Sequence, residues 1–424
     1  MIFVYRVISI IIFPILVIFI YFRKFINKED PVRYKEKIFL SSFINNFSDK
    51  RKLIWFHVAS VGELQSIIPI IQSLNNNEEK YNFLITSITL SSGKLLKKEL
   101  GEIDNLTHRY LPLDINYLVK AFVEIWQPHA VFFVDSEIWP NLILNLKEKN
   151  IPIAILNGRL TLKSFLRWSL IKNTAQKIFG KFDLILVSNS ISKKYFYDLG
   201  GKNIYELGNI KFSSKVSKNK SNNPILKHKK YWCVLSTHSN EEELCIKVHL
   251  KLSKKIKDFL TIIIPRHINR SEEIKKFCIK NDLKVQVVEK DSEILQESEI
   301  VIVNAFGVMS DYLSNAKSVF IGKSLLKKFK NDGGQNPILA ALHGCKIYHG
   351  PYVFNFKDIY EFLGSKEICK EIVDVDELIY NLNSDFKINE KNVTNSKKLI
   401  NDIGEEILFN TLNKINSFIS NENK

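Results

Sequence analysis

Short apolar runs of strand length alternate along this chain with stretches in which apolar positions recur every three or four residues. The runs predict strands at Leu53 to Val58, Phe83 to Ser87, Ala130 to Val134, Ile153 to Leu156 and Leu184 to Val187. Helices are expected between them, at Leu64 to Leu74, Leu118 to Trp126 and Leu142 to Glu148. The polar stretch Ser213 to Asn223 then interrupts the order and reads as a linker. Beyond it the pattern restarts, with strands at Tyr231 to Leu235, Phe259 to Ile264, Lys284 to Val288, Glu299 to Val303, Ser318 to Ile321 and Lys346 to Tyr348, and a helical end from Val375 to Ile419. Strands alternating with helices in this way imply parallel sheets covered by helices, an α/β class. The expected division is an N-terminal apolar segment 1–28, a first α/β domain 29–212, a linker 213–228, a second α/β domain 229–385 and a helical end 386–424.

The N-terminal segment departs from this pattern. Val7 to Phe22 carries no charge, and Arg23, Lys24 and Lys28 follow at once. With the apolar residues before Arg6 it approaches the roughly 20 residues that span a hydrocarbon core, although Pro14 is expected to kink it. A single span and a shallow re-entrant anchor are both open. No small-residue cleavage site follows, and the positive-inside rule applied to Arg23, Lys24, Lys28, Arg33 and Lys35 puts the body in the cytoplasm.

Composition adds constraints on partners. An apolar share of 45% supplies ample core for two domains, while 61 Lys+Arg against 45 Asp+Glu leave +16 and favour an anionic partner. Nucleic acid is not the expected one, since no reading motif accompanies the charge. Cys233, Cys245, Cys278, Cys345 and Cys369 form no close pair, so neither a disulfide framework nor a zinc site is predicted. There is no Walker loop, no G-x-G-x-x-G after a strand and no G-x-S-x-G elbow.

Several strand ends carry reactive groups, where open α/β sheets bind ligands. The first strand runs into Ala59-Ser60-Val61-Gly62-Glu63. Glu63 reads either as a general base raised by partial burial or as a capping glutamate beside Ser60. Ala130 to Val134 is followed by Asp135-Ser136-Glu137-Ile138-Trp139-Pro140-Asn141, a second set of acids at a strand end, with Asp135 or Ser136 as alternative helix caps. Lys211, in Gly208-Asn209-Ile210-Lys211-Phe212, precedes the linker, where it borders an expected interdomain cleft and could neutralise a phosphate charge. In the second half, Ser236-Thr237-His238 and Pro265-Arg266-His267 end strands, and Gly333-Gly334-Gln335-Asn336-Pro337 precedes an Ala-rich helix.

These segments, in this order, resemble the 3-deoxy-D-manno-octulosonic acid (Kdo) transferases that modify the lipid A precursor. The resemblance rests on HVASVGE at His57 to Glu63, SEIWPN at Ser136 to Asn141, LNGRL at Leu156 to Leu160, GNIKF at Gly208 to Phe212, STH at Ser236 to His238, PRH at Pro265 to His267, GGQNP at Gly333 to Pro337 and GPYVFNF at Gly350 to Phe356. It implies a GT-B fold of two Rossmann-like domains with a cleft between them, and inverting, metal-independent transfer of Kdo from CMP-Kdo without a cofactor. Glu63 then matches the base, Asp135 and Lys211 match transition-state groups, and Ser60, Ser236, His238, Pro265, Arg266, Phe306, Gly307, Val308, Gly334, Asn336, Pro337, Ile338 and Leu339 fall in substrate-binding segments. It also implies a lipid A precursor acceptor, with the anchored body on the cytoplasmic face of the inner membrane. Oligomeric state and the number of Kdo groups added are left open.

Three positions depart from the family pattern: Asp135 stands for a glutamate, and Val308 and Leu339 stand where donor-contacting acids are usual. They keep two alternatives in play, a transferase using another nucleotide sugar and an inactive lipid-binding relative. A last feature concerns the acceptor. Between Arg159 and Lys181 lie six cations and no acid, interleaved with Leu162, Phe165, Leu166, Trp168 and Ile171, a basic amphipathic helix suited to an anionic lipid surface.

Overall fold

A computed structural model describes residues 1–77, 80–214, 223–387 and 391–420, with backbone alone for 391–395. The chain divides into two compact units, 1–214 together with 404–424, and 215–403. In the first unit, strands β1 (Leu53–Val58), β2 (Asn82–Ser87), β3 (Leu106–Tyr110), β4 (Ala130–Val134), β5 (Ile153–Gly158), β6 (Leu184–Val187) and β7 (Ile204–Glu206) form one sheet in the order β3-β2-β1-β4-β5-β6-β7. Every pairing is parallel. A parallel sheet needs cover on both faces, and this explains why LIWFHV and AVFFV are apolar without alternation: all eleven residues of β1 and β4 are buried.

The second unit repeats the plan. Strands β8 (Lys230–Thr237), β9 (Phe259–Pro265), β10 (Val285–Val288), β11 (Ile300–Val303), β12 (Ser318–Ile321), β13 (Lys346–His349) and β14 (Cys369–Glu371) are ordered β10-β11-β9-β8-β12-β13-β14, again all parallel. Trp232, Val234, Ile263 and Phe320 lie in its core. The two-sheet α/β architecture expected from the apolar pattern is therefore present.

Four features differ from the sequence expectations. Strands β3, β7 and β14 were not foreseen: each is an edge strand with polar residues, LTHRY, IYE and CKE. The basic stretch 159–181 is not one helix but two, Leu162–Ser169 and Lys172–Phe179, broken where Leu170 stands 86% exposed. The helical end consists of Val375–Asp385 and Lys391–Ser420, and from Gly404 onward the latter belongs to the first unit. Of the expected linker, 215–222 lies outside the described residues, while Ile225–His228 is a short helix.

The returning helix packs beside the segment that carries Lys211. Phe418 meets Phe132 edge-on at 5.6 Å, and Lys414 sits 3.7 Å above the Tyr205 ring. Gly404 lies against the Phe212 carbonyl so closely that a Cβ would overlap it. Alanine in a helix interior ordinarily stabilises relative to glycine by about 0.5–1 kcal/mol. Here the overlap reverses the sign: Gly404→Ala is expected to lower the melting temperature, at a cost of about 1–3 kcal/mol. A raised melting temperature in calorimetry would contradict the packing.

Candidate functional site

In the first sheet the strand order turns back between β1 and β4, which creates a crevice at their carboxyl ends. Both acidic segments singled out in the sequence begin there. After β1, Ser60 caps the helix Val61–Asn75, its Oγ accepting from Glu63 N–H at 3.3 Å. The Glu63 carboxylate reaches back to accept from Ser60 Oγ at 2.7 Å and from Ala59 N–H at 2.6 Å. This is a variant of the capping box in which Ala59 N–H, one residue before the N-cap, is the backbone donor, so the local role of Glu63 is real. It does not account for the electrostatics. Glu63 is buried, 7% exposed. Burial first, and the Asp135 charge second, push its pKa up from 4.5 to about 7, against the lowering pull of its two hydrogen bonds. At about 1.4 kcal/mol per unit, ionising this carboxyl in place costs roughly 3 kcal/mol more than in water. Two accepted hydrogen bonds leave lone pairs free on both oxygens.

After β4, Asp135 occupies the left-handed region at φ 59, a conformation that aspartate tolerates better than most residues. Its Oδ2 accepts from Lys211 Nζ at 2.6 Å and its Oδ1 from Asn157 Nδ2. Asn157, at the end of β5 and also left-handed at φ 56, uses its Oδ1 to accept from Ile210 N–H at 3.0 Å. Asn209 Oδ1 in turn accepts from Lys211 N–H at 3.1 Å. The lysine is thus held at both its side chain and its backbone turn. Breaking the half-buried pair would strand one charge, which is more costly than the net value of the pair.

Glu137 adds a third carboxylate and is a further cause of the raised Glu63 pKa. It accepts from Trp139 Nε1 at 3.1 Å. His57, wholly buried in β1, has Nδ1 2.9 Å from Thr86 Oγ1, and that hydroxyl also accepts from Trp55 Nε1. The Nε2 of His57 has no hydrogen-bond partner among the described residues and lies 3.6 Å from Glu137. Neither Asp135 nor Ser136 caps the next helix. The buried Asp114 does so, accepting from Asn141 and Leu142 N–H at 3.0 and 2.9 Å.

In the second unit the remaining predicted residues follow β8, β9, β11 and β12, which are neighbours in the sheet. Ser236 is left-handed at φ 55, and its carbonyl accepts from His238 Nδ1 at 3.1 Å, which places the proton on Nδ1. Burial first, then the nearby Lys323, His267 and Arg266, push the His238 pKa down. The fully buried Glu241 accepts from the backbone N–H of His238, Lys323 and Ser324, and so ties the turn after β8 to the turn after β12. Pro265 is buried at the end of β9, whereas Arg266 is exposed. Phe306 is exposed beside Gly307, whose φ of +77 faces open space. Gly334, at φ +92, packs on the Val353 backbone, where a Cβ would sit 2.9 Å from its Cα. Asn336 Oδ1 accepts from Ile338 N–H at 3.1 Å, which sets the turn through Pro337. Val308 is buried and Leu339 half-buried, so neither offers a polar group.

Sequence reasoning passed through Asn157, Asn209 and Glu241 without giving any of them a role of its own. The signal for Asn157 was present, an amide directly before Gly158 at a strand end, but its two partners lie 22 and 53 positions away. Among the described residues no group of three or more His, Cys, Asp and Glu is placed to hold a metal ion.

The raised Glu63 pKa has a stability consequence with a definite sign. The cost of ionising this group is absent below its unfolded range near 4.5 and complete above about 7. Glu63→Gln keeps a capping acceptor and removes the charge. It is expected to raise the melting temperature at pH 8 and to change it little at pH 4; equal shifts at both would refute the assignment.

A family profile described as 3-deoxy-D-manno-octulosonic-acid transferase (kdotransferase) matches residues 33–214. A Kdo transferase of Rickettsia bellii is 32% identical over 380 residues, 88% of each chain. Those of Haemophilus influenzae and Aquifex aeolicus are 28% and 27% identical, over 73% and 80% of this chain and 73% and 89% of their own. Two solved structures share the fold at 12% identity. A putative UDP-N-acetylglucosamine 2-epimerase of Listeria monocytogenes has a TM-score of 0.60, covering 87% of this chain and 96% of its own. A glycosyltransferase of Rickettsia africae has 0.55, covering 88% and 100%. The two parallel-sheet units have the GT-B architecture, and the chain belongs to the Kdo transferase family of glycosyltransferases.

Proposed function

We propose that this enzyme transfers Kdo from CMP-Kdo to a glucosamine hydroxyl of the lipid A precursor, with inversion and without a metal. The observation that carries the reading is Glu63, a carboxylate at a sheet switch point whose pKa of about 7 matches a general base working near neutrality. As the acceptor oxygen bonds to the anomeric carbon and the bond to the CMP phosphate oxygen breaks, the hydroxyl proton passes to Glu63 and the electron pair leaves with CMP. Lys211, steadied by Asp135 and Asn157, supplies fixed positive charge for the anion that develops. Shortening the family glutamate to Asp135 is accommodated, because Lys211 reaches it at 2.6 Å.

On the donor side, Ser236, His238, Pro265 and Arg266 with the turns 306–308 and 334–339 would hold CMP. Arg266 supplies charge, and backbone groups serve where Val308 and Leu339 replace acids. Those two apolar positions favour one competing reading, a different nucleotide sugar. For the acceptor, Lys163 and Arg167 beside the exposed Leu162 and Leu166 suit lipid A phosphates and acyl chains. The apolar helix Ile2–Phe25, with an 18-residue stretch of mean hydropathy 2.7, suits a place at the cytoplasmic face of the inner membrane.

The test is transfer with CMP-Kdo, lipid IVA and membranes, run with a panel of other sugar nucleotides and read by product mass. CMP release and a mass gain of Kdo are expected with CMP-Kdo alone, with kcat/KM falling on the acid side of about pH 7. Glu63→Gln should lose roughly 10²–10⁴-fold in kcat while staying folded. An unchanged rate in this variant would remove the proposed base.

A further inference from the structure

The N-terminal helix Ile2–Phe25 does not stand apart from the first unit. Its half-buried positions, with Ile20 fully buried, recur as Ile2, Arg6, Ser9, Phe13, Leu16, Val17, Ile20, Arg23 and Lys24, a single stripe at helical spacing along the whole length. At one end Tyr5 OH donates to Asp114 Oδ2 at 2.8 Å, and Arg6 approaches Asn141 Oδ1 and Glu148 Oε1, each at 3.4 Å. Midway, Phe13 meets Tyr117 edge-on at 5.8 Å, and Phe13, Val17 and Ile20 pack with Tyr34, Ile38 and Leu113. At the other end Lys24 lies 4.5 Å above the Tyr34 ring, and Arg23 pairs with Glu29 at 2.7 Å. Glu29 is joined to Lys37 at 2.6 Å, and Lys37 donates to the Ile88 carbonyl. The opposite face presents Val4, Val7, Ile11, Ile15, Ile18 and Phe22, all exposed and all apolar.

From Tyr5 to Lys24 the docked length is about 28 Å at 1.5 Å per residue, close to the ~30 Å thickness of a hydrocarbon core. A helix docked over that distance cannot cross a bilayer alone. Crossing would carry Glu148, Asp114 and the Glu29–Lys37 pair into hydrocarbon, where charges are strongly disfavoured, or would strip the helix from its seat. We propose that the helix is monotopic: it stays on the first unit, sinks its outer apolar face into one leaflet, and keeps both ends on the side of the catalytic body. The occupant of that face is the acyl layer. Continuity with a second lipid-suited surface supports this choice. Helix Pro140–Glu148, which receives Arg6, touches helix Lys172–Phe179, and that helix touches Leu162–Ser169 with its exposed leucines and cations. Charge complementarity adds to it, since the exposed Lys28 and Lys35 follow the apolar face in the chain, where anionic headgroups would be met.

The proposal does not rest on the transferase reading, and its test reads topology only. The full-length protein carries a protease-cleavable tag before Met1 and is placed in vesicles of phosphatidylethanolamine and phosphatidylglycerol. Spin labels are introduced singly at Ile11, Ile15, Ser9 and Leu16; all five native cysteines are buried, so background labelling is low. Tag and body are expected to be cut by protease from the same side of the membrane. Oxygen dissolved in lipid is expected to relax the labels at Ile11 and Ile15 several-fold more than those at Ser9 and Leu16. A tag reached only from the side opposite the body, or equal oxygen access around the helix, overturns the proposal.

Discussion

The half-buried pair of Lys211 and Asp135 ties together the strand ends and the turn that surround Glu63 in the first unit. Its charges lie 76 positions apart in the chain, and three elements meet to place them: the end of β4, the end of β5 through Asn157, and the turn before the linker. Holding an ion pair away from bulk water demands that the remaining polar groups be satisfied, and the two amides, Asn157 and Asn209, do this. The pair also fixes an anionic oxygen near Glu63, and that charge joins burial in keeping Glu63 protonated near neutrality. Burial first, and the anchored Asp135 charge second, leave Glu63 with a pKa near neutrality.

The C-terminal helix belongs with this unit and packs on the segment that carries Lys211. Gly404 and Ile407 close over the Phe212 carbonyl and Gly208, on either side of Lys211 in the chain. A side chain longer than hydrogen at 404 would overlap the Phe212 carbonyl, one residue from Lys211. The second unit uses a carboxylate differently. Glu241, fully buried, accepts backbone N–H groups from two turns and so acts as a rivet between β8 and β12 rather than as a reactive group. At Val308 and Leu339, where the resemblance implied acids, the side chains are apolar, the first buried and the second half-buried.

Capping and catalysis were competing readings of Glu63 from sequence, and the geometry shows that one residue satisfies the first while meeting the electrical requirement of the second. A capping box supplies two donors to the carboxylate and thereby lowers its pKa; burial and two neighbouring acids overcome that effect. The switch point between β1 and β4 makes this possible, because the chain leaves β1 toward β2 and β4 toward β5, in opposite directions along the sheet, and a crevice opens at the strand ends.

The central strands, the pause near residue 214 and the ordered motifs were all legible in the chain, since burial on both faces of a parallel sheet demands continuous apolar runs that a short window displays. Glu63, Asp135 and Lys211 could be named because each sits at a strand end or in a motif. Edge strands β3, β7 and β14 were not legible, because an edge is half solvated and carries no apolar run. Nor were Asn157 as a bridge, Asp114 as the cap of a helix 26 residues further on, the return of 404–420 to the first unit, or the seat of the N-terminal helix. Sequence alone determined that the first segment is apolar enough for a membrane; only the tertiary structure decided that one stripe of it is already occupied. Hydrophobic periodicity records that a residue is buried, whereas the partner that buries it is set by contacts between distant parts of the chain.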